Sequence, residues 1–263
     1  MRIKITFLNP EKETYLPINT NYYLVKLINS LSYEYRRYLN SLLPGNSNRG
    51  IFNFYTFSQL VIPARKIEDF KIGILSSEFH WYISSPFYQF LGILAKEFRI
   101  RRTVRIATRW FEISQVNFIG SPVFEHSEGR FTCLSPIAVY RQNSNSAYSS
   151  STYFSSEYLL PEDRDYLANI EQDLVHKFNL IKGTSKHHLD IDVKYDLNYI
   201  RKKNNRITKV ITLENGNDLK ERVRGVLAPL QIKADPDVLQ LIYDSGLGQL
   251  NNLGFGMLET VHR

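Results

Sequence analysis

Residues 2–8 read Arg-Ile-Lys-Ile-Thr-Phe-Leu, polar and apolar in turn, which predicts a half-buried strand rather than a helix. From Asn21 the spacing changes. Tyr23, Leu24, Leu27, Ile28 and Leu31 recur at helical intervals, so an amphipathic helix follows the strand. The stretch from Pro44 to Gly50 is rich in breakers, and beyond it Phe52, Phe54 and Thr56 alternate with Asn53 and Tyr55 in a second strand. Phe79 to Ser84 supplies a third. Residues 86–98 form a second helix with Phe90, Leu91, Leu94 and Phe98 on one side, and Thr103 to Gln115 closes with another strand. The order β-α-β-β-α-β is that of a ferredoxin-like unit.

The order then starts again. Arg130 to Tyr140 is apolar and β-branched, and predicts a strand. Pro161 to Leu180 carries Tyr166, Leu167, Ile170, Leu174 and Phe178 as a helical stripe. Strand-like stretches follow at 188–197 and 207–213, with a further extended segment from Val223 to Ile232. The predicted class is therefore α+β, with two tandem ferredoxin-like (RRM-like) domains at 1–121 and 122–263, joined near Gly120-Ser-Pro-Val123. The halves share element order and no clear sequence identity. Residues 143–156 are dominated by Ser, Asn and Tyr and predict a loop.

The second half ends in a short helix, a loop with four glycines, and a strand. Asp235 suits the N-cap and Pro236 the first turn, while Gly246 stands where a left-handed stop is usual. A Walker or dinucleotide loop has the opposite order, strand before glycines and helix after. Here the glycines Gly246, Gly248, Gly254 and Gly256 leave bare backbone between helix and strand, which predicts an anion-accepting concavity suited to an RNA backbone. Gln249, Asn251 and Asn252 can add donors for phosphate or base edges, and Phe255 is expected to pack inward.

Charge sharpens this picture. The 263 residues carry 33 Lys and Arg against 26 Asp and Glu, a net +7, and the portion through Pro122 holds +8 of it while the remainder sums to −1. Such a field favours polyanions. Arg99, Arg101, Arg102, Arg105 and Arg109 alternate in part with apolar residues; in a strand they would give one face a phosphate track, with a solvated sheet edge as the competing account. One cysteine, Cys133, excludes an internal disulfide and a thiolate zinc cluster. The six histidines, among them His187 and His188 adjacent in a strand-like stretch, form no metal-ligand motif. With no apolar run long enough to span a bilayer and no signal core, a cytoplasmic protein is expected, with no membrane partner.

The pattern Gly-x-Gly, five residues, Gly-x-Gly resembles the signature of the CRISPR-associated repeat-processing endoribonucleases, the Cas six type of the repeat-associated RNA-binding superfamily. The opening Met1 to Leu8 followed by Leu16 to Asn29, and the stretch Leu134-Ser-Pro-Ile-Ala-Val139, are similar to that family's first strand and helix and the start of its second half. The resemblance implies cleavage of repeat RNA without metal or cofactor, by attack of a ribose 2′-hydroxyl that leaves a cyclic phosphate and a 5′-hydroxyl. It also implies RNA bound in the cleft between domains and over the glycine loop, by a monomer or homodimer that can work with other CRISPR-associated proteins. The family's catalytic histidine aligns with Asn40, and a tyrosine of some relatives aligns with Asn29. An amide cannot shuttle a proton. Three accounts stay open: catalysis by Lys26, Arg36, Arg37, Tyr38 or Arg49 through charge, a silent RNA-binding subunit, or a histidine reaching the site from elsewhere in the chain. Lys26, Arg36 and Arg37 also read as solvated surface charges, and Tyr38 as a packing residue.

Overall fold

The computed structural model describes residues 1–35, 37, 54–141, 157–214 and 220–261. They form a mixed α+β fold built on antiparallel sheets, in two compact units: Met1–Ser121 with Asn252–Gly254, and Pro122–Asn251 with Phe255–Arg263.

In the first unit β1 (Arg2–Leu8) is central because both its edges are paired. It lies between β6 (Glu78–Ser84) and β8 (Arg109–Ile119), and β3 (Thr56–Phe57) and β7 (Thr103–Ile106) flank them in the order β3-β6-β1-β8-β7. Alternation along β1 sends Ile3, Ile5 and Phe7 to one face, where all three are fully buried. Helices α1 (Asn21–Leu31) and α2 (Tyr88–Arg101) belong to that core through Leu24, Leu27, Ile28, Leu31, Phe90, Leu91, Leu94 and Phe98, the stripe the periodicity predicts. Trp81 is sealed within it, against Phe57 and Phe98. A second sheet of β2 (Thr14–Pro17), β5 (Lys71–Ile74) and β4 (Arg65–Glu68) was not foreseen.

In the second unit the order is β10-β13-β9-β14, formed by β9 (Glu128–Cys133), β10 (Ile191–Tyr195), β13 (Leu230–Ala234) and β14 (Leu258–Thr260). Helices α3 (Tyr166–Lys182) and α5 (Pro236–Ser245) bury Ile170, Leu174, Leu239 and Ile242 in the core with Phe131 and Ile232. Between β10 and β13 the chain makes a short helix α4 (Leu197–Lys202) and a separate hairpin of β11 (Thr208–Glu214) and β12 (Lys220–Val226). No helix among the described residues is long and apolar enough to cross a membrane.

Several expectations need correction. Thr103 to Gln115 is not one strand but the hairpin β7–β8, turned at Ala107, which takes a left-handed φ of 54° without a glycine or proline to announce it. Val223 to Ile232 is likewise two strands, separated around Pro229. The strand expected from Arg130 to Tyr140 ends at Cys133, and only isolated bridges continue it. Tyr55 does not face solvent opposite Phe54 and Thr56, because all three are buried. His187 and His188 lie in irregular chain before β10, not in a strand. Asp235 makes no side-chain cap bond, and Gly246 ends α5 at φ 91°, ψ 156°, outside the left-handed helical region. Phe52, Asn53 and all of the loop at 143–156 lie outside the described residues.

Candidate nucleic-acid interface

The catalytic candidates separate on inspection. Lys26 is exposed on α1, its Nζ 4.3 Å from the centroid of the Tyr22 ring, and Asn29 is exposed on the same helix. Arg37 is exposed just beyond α1. Arg36, Tyr38, Asn40 and Arg49 lie outside the described residues.

The arginine run is not a single strand face. Arg99 and Arg101 belong to α2, Arg102 caps it with φ 55°, Arg105 is on β7 and Arg109 opens β8. Arg99 donates to the Val116 carbonyl at 2.8 Å, and Arg101 sits 3.7 Å from Glu97 one turn earlier. Arg102 and Arg105 are exposed, and Arg105 Nε donates to the Ala107 carbonyl at 3.0 Å.

The glycine loop departs furthest from expectation. Bare amides facing outward were predicted; the structure buries nearly all of residues 246–257 and uses many of their polar groups internally. In the second unit the Gly246 amide donates to Ile242 O, Leu247 N to Gly256 O, Gln249 N to Ala138 O and Gly256 N to Pro136 O, at 2.7–2.9 Å. The Gln249 side chain accepts from Tyr140 N at 2.7 Å, and Asn251 donates to Phe255 O at 3.0 Å. In the first unit Asn21, at the start of α1, donates to Leu253 O at 2.8 Å and Gly254 O at 3.3 Å. Asn252 is half-buried. The glycines are there because other atoms are close: a Cβ on Gly248 would lie 2.6 Å from the Ala138 carbonyl oxygen, and one on Gly254 would lie 2.3 Å from the Phe57 ring.

Lys177 of α3 holds this loop from below. Its side chain is only 6 % exposed; Nζ donates to Gly248 O at 3.0 Å and Asn251 Oδ1 at 2.5 Å, and pairs with Asp173 Oδ2 at 2.5 Å. Burial raises the Asp173 carboxyl above its ordinary 3.8, against the pull of the ammonium. Replacing Lys177 by Met would strip these acceptors of their donor and is expected to cost about 2–3 kcal/mol at neutral pH. A carboxyl whose folded pKa is raised is penalised once pH exceeds that pKa, and the penalty is gone below its unfolded value near 3.8. The deficit should therefore shrink as pH is lowered, and urea titrations at two pH values check this. An equal deficit at both would clear Asp173.

A cationic surface that the half-by-half charge count hid lies in the second unit. Between Leu197 and Leu213 the chain has Arg201, Lys202, Lys203, Arg206 and Lys209 and no carboxylate. All but Lys209 are exposed, and exposed Arg222 and Arg224 stand on β12 opposite Thr212 and Val210. Asp196, which directly precedes this stretch, spends its side chain capping α4 through Asn198 N and Tyr199 N. By contrast the sheet strands pair their charges, Lys194 with Asp192 at 2.6 Å and Lys233 with Glu128 at 3.7 Å.

No group of three or more His, Cys, Asp or Glu among the described residues is placed to hold a metal ion. Burial pushes the Cys133 thiol up to about 12, which removes it as a nucleophile. His80 on β6 is held below its ordinary pKa by burial and by Lys4, against Glu78, and contacts Thr6 Oγ1 at 3.2 Å.

Residues 119–260 match the family described as CRISPR associated protein Cas6, C-terminal. The chain belongs to the Cas6 family. The matched span takes in the glycine loop, Lys177 and the cationic surface of the second unit, and leaves Lys26, Arg37 and the α2–β7 arginines outside it. The chain is 24% identical over 263 residues to the CRISPR-associated endoribonuclease Cas6 1 of Methanocaldococcus jannaschii, covering 99% of this chain and 93% of that protein. It is 23% identical over 266 residues to the endoribonuclease-like protein Cas6nc of Pyrococcus horikoshii, covering 99% of this chain and all of that one. Among solved structures it resembles a Cas6-related protein of Pyrococcus furiosus at a TM-score of 0.78, with 21% identity and 100% and 99% of the two chains covered. A structure titled as an RAMP protein binding different RNA substrates gives 0.76, with 22% identity and both chains covered in full. At these identities the likeness is one of fold, and it covers both units.

Proposed function

We propose that this Cas6-family chain binds CRISPR repeat RNA and cleaves it without a metal ion. A ribose 2′-hydroxyl attacks the adjacent phosphorus, the P–O5′ bond breaks, and a cyclic phosphate and a 5′-hydroxyl result. The observation that carries the binding half is the row of exposed cations on α4 and the β11–β12 hairpin, within the span that matches the family. Five Lys and Arg side chains with no interleaved carboxylate between Leu197 and Leu213, joined by Arg222 and Arg224 on β12, suit a polyphosphate backbone. For cleavage, Lys26 and Arg37, with Arg36 and Arg49, supply positive charge and Tyr38 a hydroxyl donor to the phosphate as negative charge develops, a contribution of roughly 10²- to 10³-fold for each donor. The buried glycine loop enters as scaffold, with Gly246, Gly248, Gly254 and Gly256 admitting close backbone packing and Gln249 and Asn251 bracing it.

The reading includes two tandem ferredoxin-like domains. In the second unit the strands of the sheet stand in the spatial order second, third, first, fourth, as β10-β13-β9-β14, and the first unit repeats that order as β3-β6-β1-β8 once the extra edge strand β7 is set aside, which supports it. It also includes a monomer or homodimer acting with other CRISPR-associated proteins.

A second reading, a repeat-RNA-binding subunit that does not cut, is favoured by one observation. The described histidines are His80, His126, His176, His187 and His188, and α1 presents amides and a lysine but no imidazole. Incubation with repeat RNA in EDTA separates the two. Products ending in a cyclic phosphate are expected for the enzyme, and retarded but intact RNA for the binding subunit. Absence of any salt-sensitive retardation would remove both.

A further inference from the structure

We infer that Trp110, flanked by Arg102 and Arg105, is a stacking seat for an unpaired nucleotide of the bound RNA. The inference rests on the RNA-binding reading above and names the part of the RNA it takes. In the β7–β8 hairpin, Val104 and Ile106 point into the core with Phe111, so by alternation Arg105 and its cross-strand partner Trp110 point away from it. Trp110 is 62% exposed, and no ring or cation contacts it among the described residues. A single exposed aromatic ring is ordinary on a protein surface. What distinguishes this one is its surroundings.

Arg105 is tethered beside the turn by its bond to the Ala107 carbonyl. Arg102 is fixed at the end of α2 in the left-handed region, and its carbonyl accepts Ile113 N at 2.7 Å from β8. Neither guanidinium has a carboxylate within ion-pair distance among the described residues. Arg109 is 3.9 Å from Glu11, and Glu112 shares the face two residues beyond Trp110. These two acids limit the local positive field, so the ring rather than bulk charge should decide retention here. Duplex bases cover their faces by stacking on one another, whereas an unpaired base offers a face to the indole while the guanidiniums take its phosphates.

The chain contains two tryptophans, and Trp81 is sealed in the core, so a change in indole emission on adding RNA reports on Trp110. Titrating the full chain with single-stranded repeat RNA should quench emission, and a blunt RNA duplex should not. Trp110→Leu should abolish the quench and weaken single-strand binding roughly 5- to 100-fold, while Trp110→Phe keeps part of the affinity. Because the ring is exposed, both variants should unfold at the wild-type denaturant midpoint. Unquenched emission at saturating RNA, with Trp110→Leu binding as wild type, overturns the seat while leaving the RNA-binding reading intact. Failure to bind any RNA overturns both.

Discussion

Gly256→Ala should destabilise the protein by about 3–5 kcal/mol. The new Cβ would lie 2.0 Å from the Leu247 carbonyl oxygen and 2.6 Å from Asn251 Nδ2, and the φ of 73° is one an L-residue adopts at a cost. Relief requires the backbone to move, and the Leu247 N–Gly256 O and Gly256 N–Pro136 O bonds go with it. Two other glycines calibrate the measurement. At Gly183 (φ 66°) a Cβ meets nothing within 4 Å, so alanine there should cost only about 1 kcal/mol for its left-handed backbone. At Gly92, inside α2 and also open, alanine should stabilise by about 0.5–1 kcal/mol. Urea unfolding of the three variants gives the order directly. A Gly256→Ala midpoint equal to that of Gly183→Ala would mean the loop relaxes freely and steric closure is not why glycine is there.

Removing Arg201, Lys202, Lys203 and Arg206 together, each to Ala, is the second large effect. Repeat-RNA affinity should fall roughly 10²- to 10³-fold at physiological salt, and the slope of log K against log salt should shrink by about 3, the value for four phosphate contacts on a single strand. Stability should hardly change, since exposed substitutions of this kind usually stay within about 0.5 kcal/mol each. Lys194→Ala is the matched control: this lysine already faces Asp192 at 2.6 Å and should leave the slope near wild type. Filter binding across a salt series tests both, and an unchanged slope in the quadruple variant would place the polyanion elsewhere.

Much of the fold was legible because periodicity is local. The alternation of Ile3, Ile5 and Phe7 and the stripes of α1, α2 and α3 depend on neighbours within a turn or a strand, and they recur in the structure except at Leu167, which is exposed. The glycine loop was legible as helix, loop and strand, but the fate of its amides was not. The acceptors for the Gln249 and Gly256 amides come from Ala138 and Pro136, more than a hundred residues earlier, and no local rule reports on them. Lys177 was hidden for a related reason. Asp173 and Lys177 spell an i, i+4 surface pair, and only the approach of Gly248 and Asn251 makes that pair an interior one. The cations of α4 and the hairpin were lost to averaging, since the acids elsewhere after Pro122 bring that portion to −1. A window count across 197–213 would have found them. The β7–β8 turn gave no signal, since Ala107 adopts its left-handed angle without the residue type that usually marks one.

Asn252–Gly254 belongs to the first unit although residues 122–251 are translated in between. During synthesis, α1 emerges from the ribosome with Asn21 lacking the carbonyls it will bind, and Phe57 lacks the chain that will lie against it. The amino-terminal unit is therefore born unfinished and stays so until the other has been almost wholly made. A nascent chain arrested before Asn252 should expose that gap to proteases, and one released after Gly254 should not.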